Sequence, residues 1–160
     1  MKKILLLLAN GFEAVEASVF TDVLGWNRFE GDGSTLVVTA GIHDKIKCTW
    51  NFTVIPEINI KDVKVDDFNT LALPIGKSGI LKGRHATTYN LNNRLRQKQL
   101  SEFGANVLKG KPIVIDKNII TSYNTSTAFD VAFTLLEMLT SSENCMKVKN
   151  LIGFNNSIEK

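Results

Sequence analysis

Apolar residues in this chain gather into short solid runs and longer periodic stretches, and the first of each sets the frame. Ile4-Leu5-Leu6-Leu7-Leu8-Ala9 is a run of strand length that ends at Asn10-Gly11, a dipeptide that turns the chain. Glu13 then opens a stretch with Val15, Val19, Val23 and Leu24 at helical spacing and Phe20 alongside. The pattern predicts a buried strand, a tight turn and an amphipathic helix ending near Trp26 to Arg28. A strand apolar on both faces suits a parallel sheet covered by helices, and ligands of such sheets collect where strands end and helices begin. Glu13 and Glu16 stand at that edge.

Thr35 to Ala40 is a second apolar strand, which completes a strand-helix-strand unit. Ile46-Lys47-Cys48 and Phe52-Thr53-Val54-Ile55 predict a hairpin appended to the sheet, and Thr70-Leu71-Ala72-Leu73 a third buried strand closed by Pro74. The three strands are expected as parallel neighbours with helices on both faces. Further on, Thr87-Thr88-Tyr89 predicts a short strand and Asn92 to Phe103 a helix with Leu95, Leu100 and Phe103 inward. Ile113 to Ile115 and Ile119 to Thr121 predict a second hairpin around Asp116-Lys117-Asn118. Ser126 or Thr127 is expected to cap a core helix carrying Phe129, Ala132, Phe133, Leu136 and Leu139. Cys145, Val148 and Leu151-Ile152 predict a last helix ending at Gly153, before a polar tail over 155–160.

Composition narrows the class. The 160 residues are expected to form a single domain, 1–160, large enough for its own core. Two cysteines, Cys48 and Cys145, match no metal-ligand spacing, so no metal or disulfide framework is expected, and a reducing, cytoplasmic setting fits. Met1-Lys2-Lys3 before the apolar run has the charge pattern of a secretory signal, but the run is short and folded-looking helix follows it, so the strand reading is preferred. No stretch reaches the ~20 apolar residues of a membrane span.

Charge is unevenly spread around a net of +3. Residues 68–101 hold Lys77, Lys82, Arg84, Arg94, Arg96 and Lys98 and no acid. A solvated face is preferred here to a nucleic-acid surface, since no aromatic residues are interleaved to stack bases. Gly76-Lys77-Ser78 follows a strand as a phosphate-binding loop does, but the pattern requires glycine where Leu71 stands, so no nucleotide cofactor is expected.

The ordered set of Ile4 to Glu16, the Thr35 to Gly41 strand, the Cys48 hairpin, Ser78-Gly79-Ile80-Leu81-Lys82-Gly83, Ala86 to Tyr89, Ile119 to Ser122 and Ser126 to Ala132 resembles the DJ-1/PfpI (ThiJ) family over nearly the whole chain. The resemblance implies a flavodoxin-like three-layer α/β/α sandwich with a mostly parallel sheet, commonly dimeric, with a reactive cysteine at a strand-to-helix elbow. It also implies a shortened centre. The family's segment between the strand matching Leu71 to Pro74 and the helix matching Ile75 to Leu81 has no counterpart, and the elbow cysteine lies in that segment. Ala72-Leu73-Pro74 marks the join.

By the same resemblance Glu16 matches the carboxylate that hydrogen-bonds the elbow thiol, and so is the one candidate catalytic residue, with a small-molecule ligand expected near it. The histidine that many members carry after the strand matching Thr87-Thr88 is replaced by Tyr89-Asn90, and neither His43 nor His85 is an obvious substitute. Cys48 matches a hairpin cysteine near the dimer interface of some relatives. Read from the residues alone, Glu13 and Glu16 are acids in a helix's first turn, favoured there by the helix dipole by ~0.3–1 kcal/mol, and Cys48 and Cys145 are small packing residues. The expected function is a non-catalytic or stress-associated homodimer without the family's cysteine chemistry. The alternatives are a cysteine-dependent enzyme of glyoxalase, deglycase or peptidase type, if the chain is incomplete, and a basic nucleic-acid-binding module.

Overall fold

A computed structural model describes residues 1–72 and 80–154 of the chain, residues 91 and 92 by their backbone alone. In chain order the elements are β1 (Lys2–Leu8), α1 (Ala14–Glu30), β2 (Thr35–Gly41), β3 (Ile46–Lys47), β4 (Thr53–Val54), β5 (Ile58–Asn59), β6 (Thr70–Ala72), β7 (His85–Ala86), α2 (Leu91–Glu102), β8 (Asn106–Val107), β9 (Ile113–Asp116), β10 (Ile119–Ser122), α3 (Ala128–Leu139) and α4 (Ser142–Ile152). They divide between two compact units, residues 1–73 with 132–160 and residues 74–131.

The first unit is built on a four-stranded parallel sheet in the order β5-β2-β1-β6. The leucine run lies inside it, flanked by β2 along its full length and by β6 opposite Ile4 to Leu6. Ile4, Leu5, Leu6 and Leu8 are buried, as a strand covered on both faces requires. Val19, Val23 and Leu24 of α1 are buried with them. Val15, expected inward, is exposed, because the buried face of the helix begins a turn later, at Val19.

α1 runs two residues past its expected end. Its last turn closes where the Gly31 N–H donates to the carbonyls of Trp26 and Asn27 at 3.2 and 3.1 Å, and a Cβ at Gly31 would overlap the Asn27 side chain. Asn27 is fully buried, and its amide donates to the Thr35 hydroxyl and to Asp32, each at 2.9 Å, while its carbonyl accepts from Asn144 of α4. A buried amide needs such partners, and these tie helix, loop and C-terminal helix together. α4 starts at Ser141, whose hydroxyl accepts from the Asn144 N–H at 3.1 Å, and stops at Gly153 in the left-handed conformation, as the sequence predicts.

The second unit holds two two-stranded sheets, β7 with β8 in parallel and β9 with β10 as a hairpin turning at Lys117. Leu81, Ala86, Leu100, Ala105 and Ile119 form its core. The strand expected at Thr87 to Tyr89 forms two residues earlier, since the His85 N–H is drawn to Asp116 and the Thr87 N–H to the Thr121 hydroxyl. On α2, Leu100 is buried as expected and Phe103 half-buried, but Leu95 is 48% exposed, and Gln97 is buried in its stead with its amide donating to the Thr88 carbonyl at 3.2 Å. Asn124 caps the 3-10 turn Thr125–Thr127 that leads into α3, its side chain accepting from the Ser126 N–H. Within α3, Ala132, Phe133 and Leu136 are buried, and Phe129 and Leu139 are half-buried. Expectations placed on Leu73-Pro74, on Gly76-Lys77-Ser78 and on the tail 155–160 fall outside the described residues.

Candidate functional site

Ligand sites in parallel sheets lie beyond the carboxyl ends of the strands, and here the turn from β1 into α1 occupies that position. Gly11 takes a left-handed φ of +84°, which glycine adopts without steric cost. A hairpin clamps the turn. The Gly11 N–H donates to the Lys47 carbonyl at 2.8 Å, the Lys47 N–H donates to the Asn10 side chain at 3.0 Å, and the Thr49 N–H donates to the Phe12 carbonyl at 3.0 Å. The Thr49 hydroxyl adds a bond to the Gly11 carbonyl at 2.9 Å. Sequence reading placed a hairpin at Cys48 but not against this turn, because the bonds that dock it join residues some 37 positions apart.

Glu13 is the residue before the helix, half-buried, with an extended backbone and no capping bond from its side chain. Glu16 lies in the first helical turn. It is exposed, and it is not without a partner. Negative charge at both positions faces the positive end of the α1 dipole.

Cys48 falls between the two clamping residues Lys47 and Thr49, so its backbone borders the same turn. Its side chain is 4% exposed and its N–H donates to the Phe52 carbonyl at 2.8 Å, closing the hairpin. It lies in a hairpin and not at a helix N-terminus, where a thiolate is stabilised. Cys145 is 2% exposed inside α4, its thiol donating to the Phe133 carbonyl at 3.3 Å. Burial pushes that thiol up, against a smaller opposing pull from Lys149. Both cysteines are free.

The histidines lie elsewhere. His85 is exposed on β7 with Nδ1 3.5 Å from the Asp116 carboxylate. His43 is exposed after β2, where with Asp44, Pro56, Glu57 and Asn59 it lines a cavity of about 280 Å³. The Glu57 carboxylate there accepts from the Thr39 N–H at 2.8 Å and from its hydroxyl at 3.2 Å. This cavity has no signature in the sequence, since a two-residue edge strand, β5, makes one wall of it. Among the described residues no three His, Cys, Asp or Glu side chains stand where they could hold a metal ion, and no helix is long and apolar enough to cross a membrane.

Residues 2–79 match the DJ-1/PfpI family profile. Protein DJ-1alpha of Drosophila melanogaster is 27% identical over 183 aligned positions, which cover 89% of this chain and 79% of that protein. Protein dj-1beta of the same fly is 23% identical over 196 positions, covering 96% of this chain and 99% of its own. Because 196 aligned positions meet a chain of 160 residues, at least 36 positions of that relative stand opposite gaps. The crystal structure of Drosophila melanogaster DJ-1beta superposes with a TM-score of 0.80 at 22% identity, covering 94% of this chain and 97% of that one. Schizosaccharomyces pombe DJ-1 gives 0.76 at 17% identity over 94% and 98%. The shared fold is α/β and flavodoxin-like, with a mostly parallel sheet, and with the profile match over the β1 to β6 sheet and relatives aligned along most of its length, the chain is similar to the DJ-1/PfpI family.

Proposed function

We propose that this protein is a non-catalytic, stress-associated homodimer of the cytoplasm that has lost the cysteine chemistry of its family. The observation that carries the reading is where its two cysteines lie. Cys48 is buried in a hairpin and Cys145 is buried inside α4, so neither follows a parallel strand into a helix N-terminus, where the positive dipole end lowers a thiol's pKa. Glu16, which matches the carboxylate partner of the family's thiol, marks where a small ligand would sit.

The dimer rests on the β3-β4 hairpin. Trp50, Phe52 and Ile55 are 78%, 61% and 74% exposed on it, although the hairpin itself is fixed by its bonds to the β1-α1 turn. Large aromatic side chains held rigidly in water are typical anchors of protein interfaces. A second copy of the chain is the partner.

Alkylation tests the cysteine half of the reading. Iodoacetamide at neutral pH, followed by intact mass, is expected to leave the folded protein unlabelled and to add two groups after unfolding in urea. Rapid single labelling of the folded protein that is lost in Cys48→Ser overturns it. Light scattering tests the other half, with a dimer at micromolar concentration and a melting temperature that rises with protein concentration as the expected result. A monomer with a concentration-independent melt overturns it.

A further inference from the structure

The chain's charge divides along the same line as its fold. Residues 74–131 carry nine cationic side chains against three carboxylates, while residues 1–73 with 132–160 carry ten against thirteen, so the second unit has a net charge of +6 and the first a net charge of −3. Of the three carboxylates in the second unit, Asp116 is already engaged by Arg84 at 3.4 Å and by His85, and Asp130 is not without a partner. The cations are not so occupied. Lys82, Arg94, Lys98, Lys109, Lys111 and Lys117 are all exposed, and among the described residues none has an acidic partner.

Several of these cations stand on fixed backbone. Lys109 and Lys111 flank Gly110, whose φ of +72° makes a turn between β8 and β9. That turn is held on both sides, by the Leu108 N–H donating to the Ala86 carbonyl and the Thr87 hydroxyl donating to the Lys111 carbonyl, each at 2.8 Å. At the other end of β7, Lys82 crosses Gly104, where an added Cβ would meet its side chain at 3.1 Å, and Lys117 tips the β9-β10 turn beside Asp116. Lys111 and Lys117 are separated by the length of β9, ~20 Å of extended chain, so the two groups of lysines stand at opposite ends of these strands.

We propose that the exposed lysines at the two ends of these strands bind the phosphate backbone of duplex nucleic acid without reading its sequence. Unpaired lysines on rigid turns gain by releasing counterions from a polyanion. No Phe, Tyr or Trp side chain of the unit is exposed among its described residues, so single-stranded bases would find no such ring to stack on. An anionic membrane is the poorer fit. α2 has no apolar stripe to bury in a bilayer, since Leu100 points into the core and Leu95 is the only other apolar side chain described on it.

Fluorescence anisotropy of a labelled 20-base-pair DNA duplex tests the proposal on the full chain. Binding is expected at 50 mM salt and, with about four phosphate contacts, should weaken about a hundredfold by 200 mM. Lys109→Glu with Lys111→Glu should weaken it about tenfold or more, while Lys45→Glu with Lys64→Glu, an equal change of net charge in the first unit, should have much less effect. Circular dichroism confirms that both pairs of variants are folded, and Lys82→Glu with Lys117→Glu serves should the first pair fail to fold. Absence of binding at 50 mM salt, equal loss in the two units, or binding to phosphatidylserine vesicles but not to the duplex would each overturn the proposal.

Discussion

At Asp116 two donors and an imidazole ring converge on one carboxylate. The His85 N–H reaches Oδ2 at 2.6 Å, Arg84 reaches Oδ1 at 3.4 Å, and the His85 ring stands 3.5 Å away. The His85 N–H, more than any other group, holds the carboxyl below the usual carboxylate range. Partial burial pushes the other way, and Arg84 reinforces the lowering. Because the folded-state value is depressed, the stabilisation is present above the unfolded value of ~3.9 and is lost as pH falls through the folded one. Asp116→Asn should therefore melt below the parent protein at pH 7, with the gap closing as pH falls below the ordinary carboxylate range. A gap that persists unchanged to pH 2 would show that the side chain's shape, not its charge, matters. Placed between His85 and Lys117 in sequence space, this carboxylate looks like a turn residue, and only the meeting of β7 with β9 gives it donors.

Among the elements, the hairpin and the end of β2 constrain one another most tightly. A Cβ at Gly41 would overlap the Ile46 side chain, which is fully buried, and would meet Pro56 at 3.0 Å. Gly41→Ala should cost about 1–3 kcal/mol in urea denaturation, as overpacking a core does, and Ile46→Val in the same chain should restore part of it. If the alanine is neutral, the hairpin moves freely on the sheet. The long elements were legible because their signals are local: Ile4 to Leu8 is apolar on both faces, and Ala132, Phe133 and Leu136 repeat at helical spacing. β5, β7 and β8 were not, since two-residue strands are made by their neighbours, as when the Leu108 N–H finds the Ala86 carbonyl. Leu95 and Gln97 traded places for the same reason, the Thr88 carbonyl giving a buried amide a partner that α2's own periodicity does not reveal. The strand-to-helix edge with Glu13 and Glu16 was readable at the candidate site, whereas the Asn10 and Thr49 clamp on it depended on contacts far apart in sequence.

For the whole molecule, a DJ-1-like fold is combined with the proposed loss of cysteine chemistry. At least 36 positions of the aligned fly relative stand opposite gaps in this chain. What the remaining surface offers is an aromatic hairpin, so Trp50→Ser should weaken self-association at least tenfold, on the scale of a central aromatic anchor, with the fold kept. Sedimentation velocity across a hundredfold concentration range would detect it, and an unchanged dimer in that variant would move the interface elsewhere. The loss of cysteine chemistry is the central claim, and turnover tests it most directly. Purified protein incubated with methylglyoxal, with lactate release followed against a protein-free control, is predicted to give no rate above background, and Cys48→Ser to be indistinguishable from the parent. Turnover that is present in the parent and absent in Cys48→Ser would contradict the account.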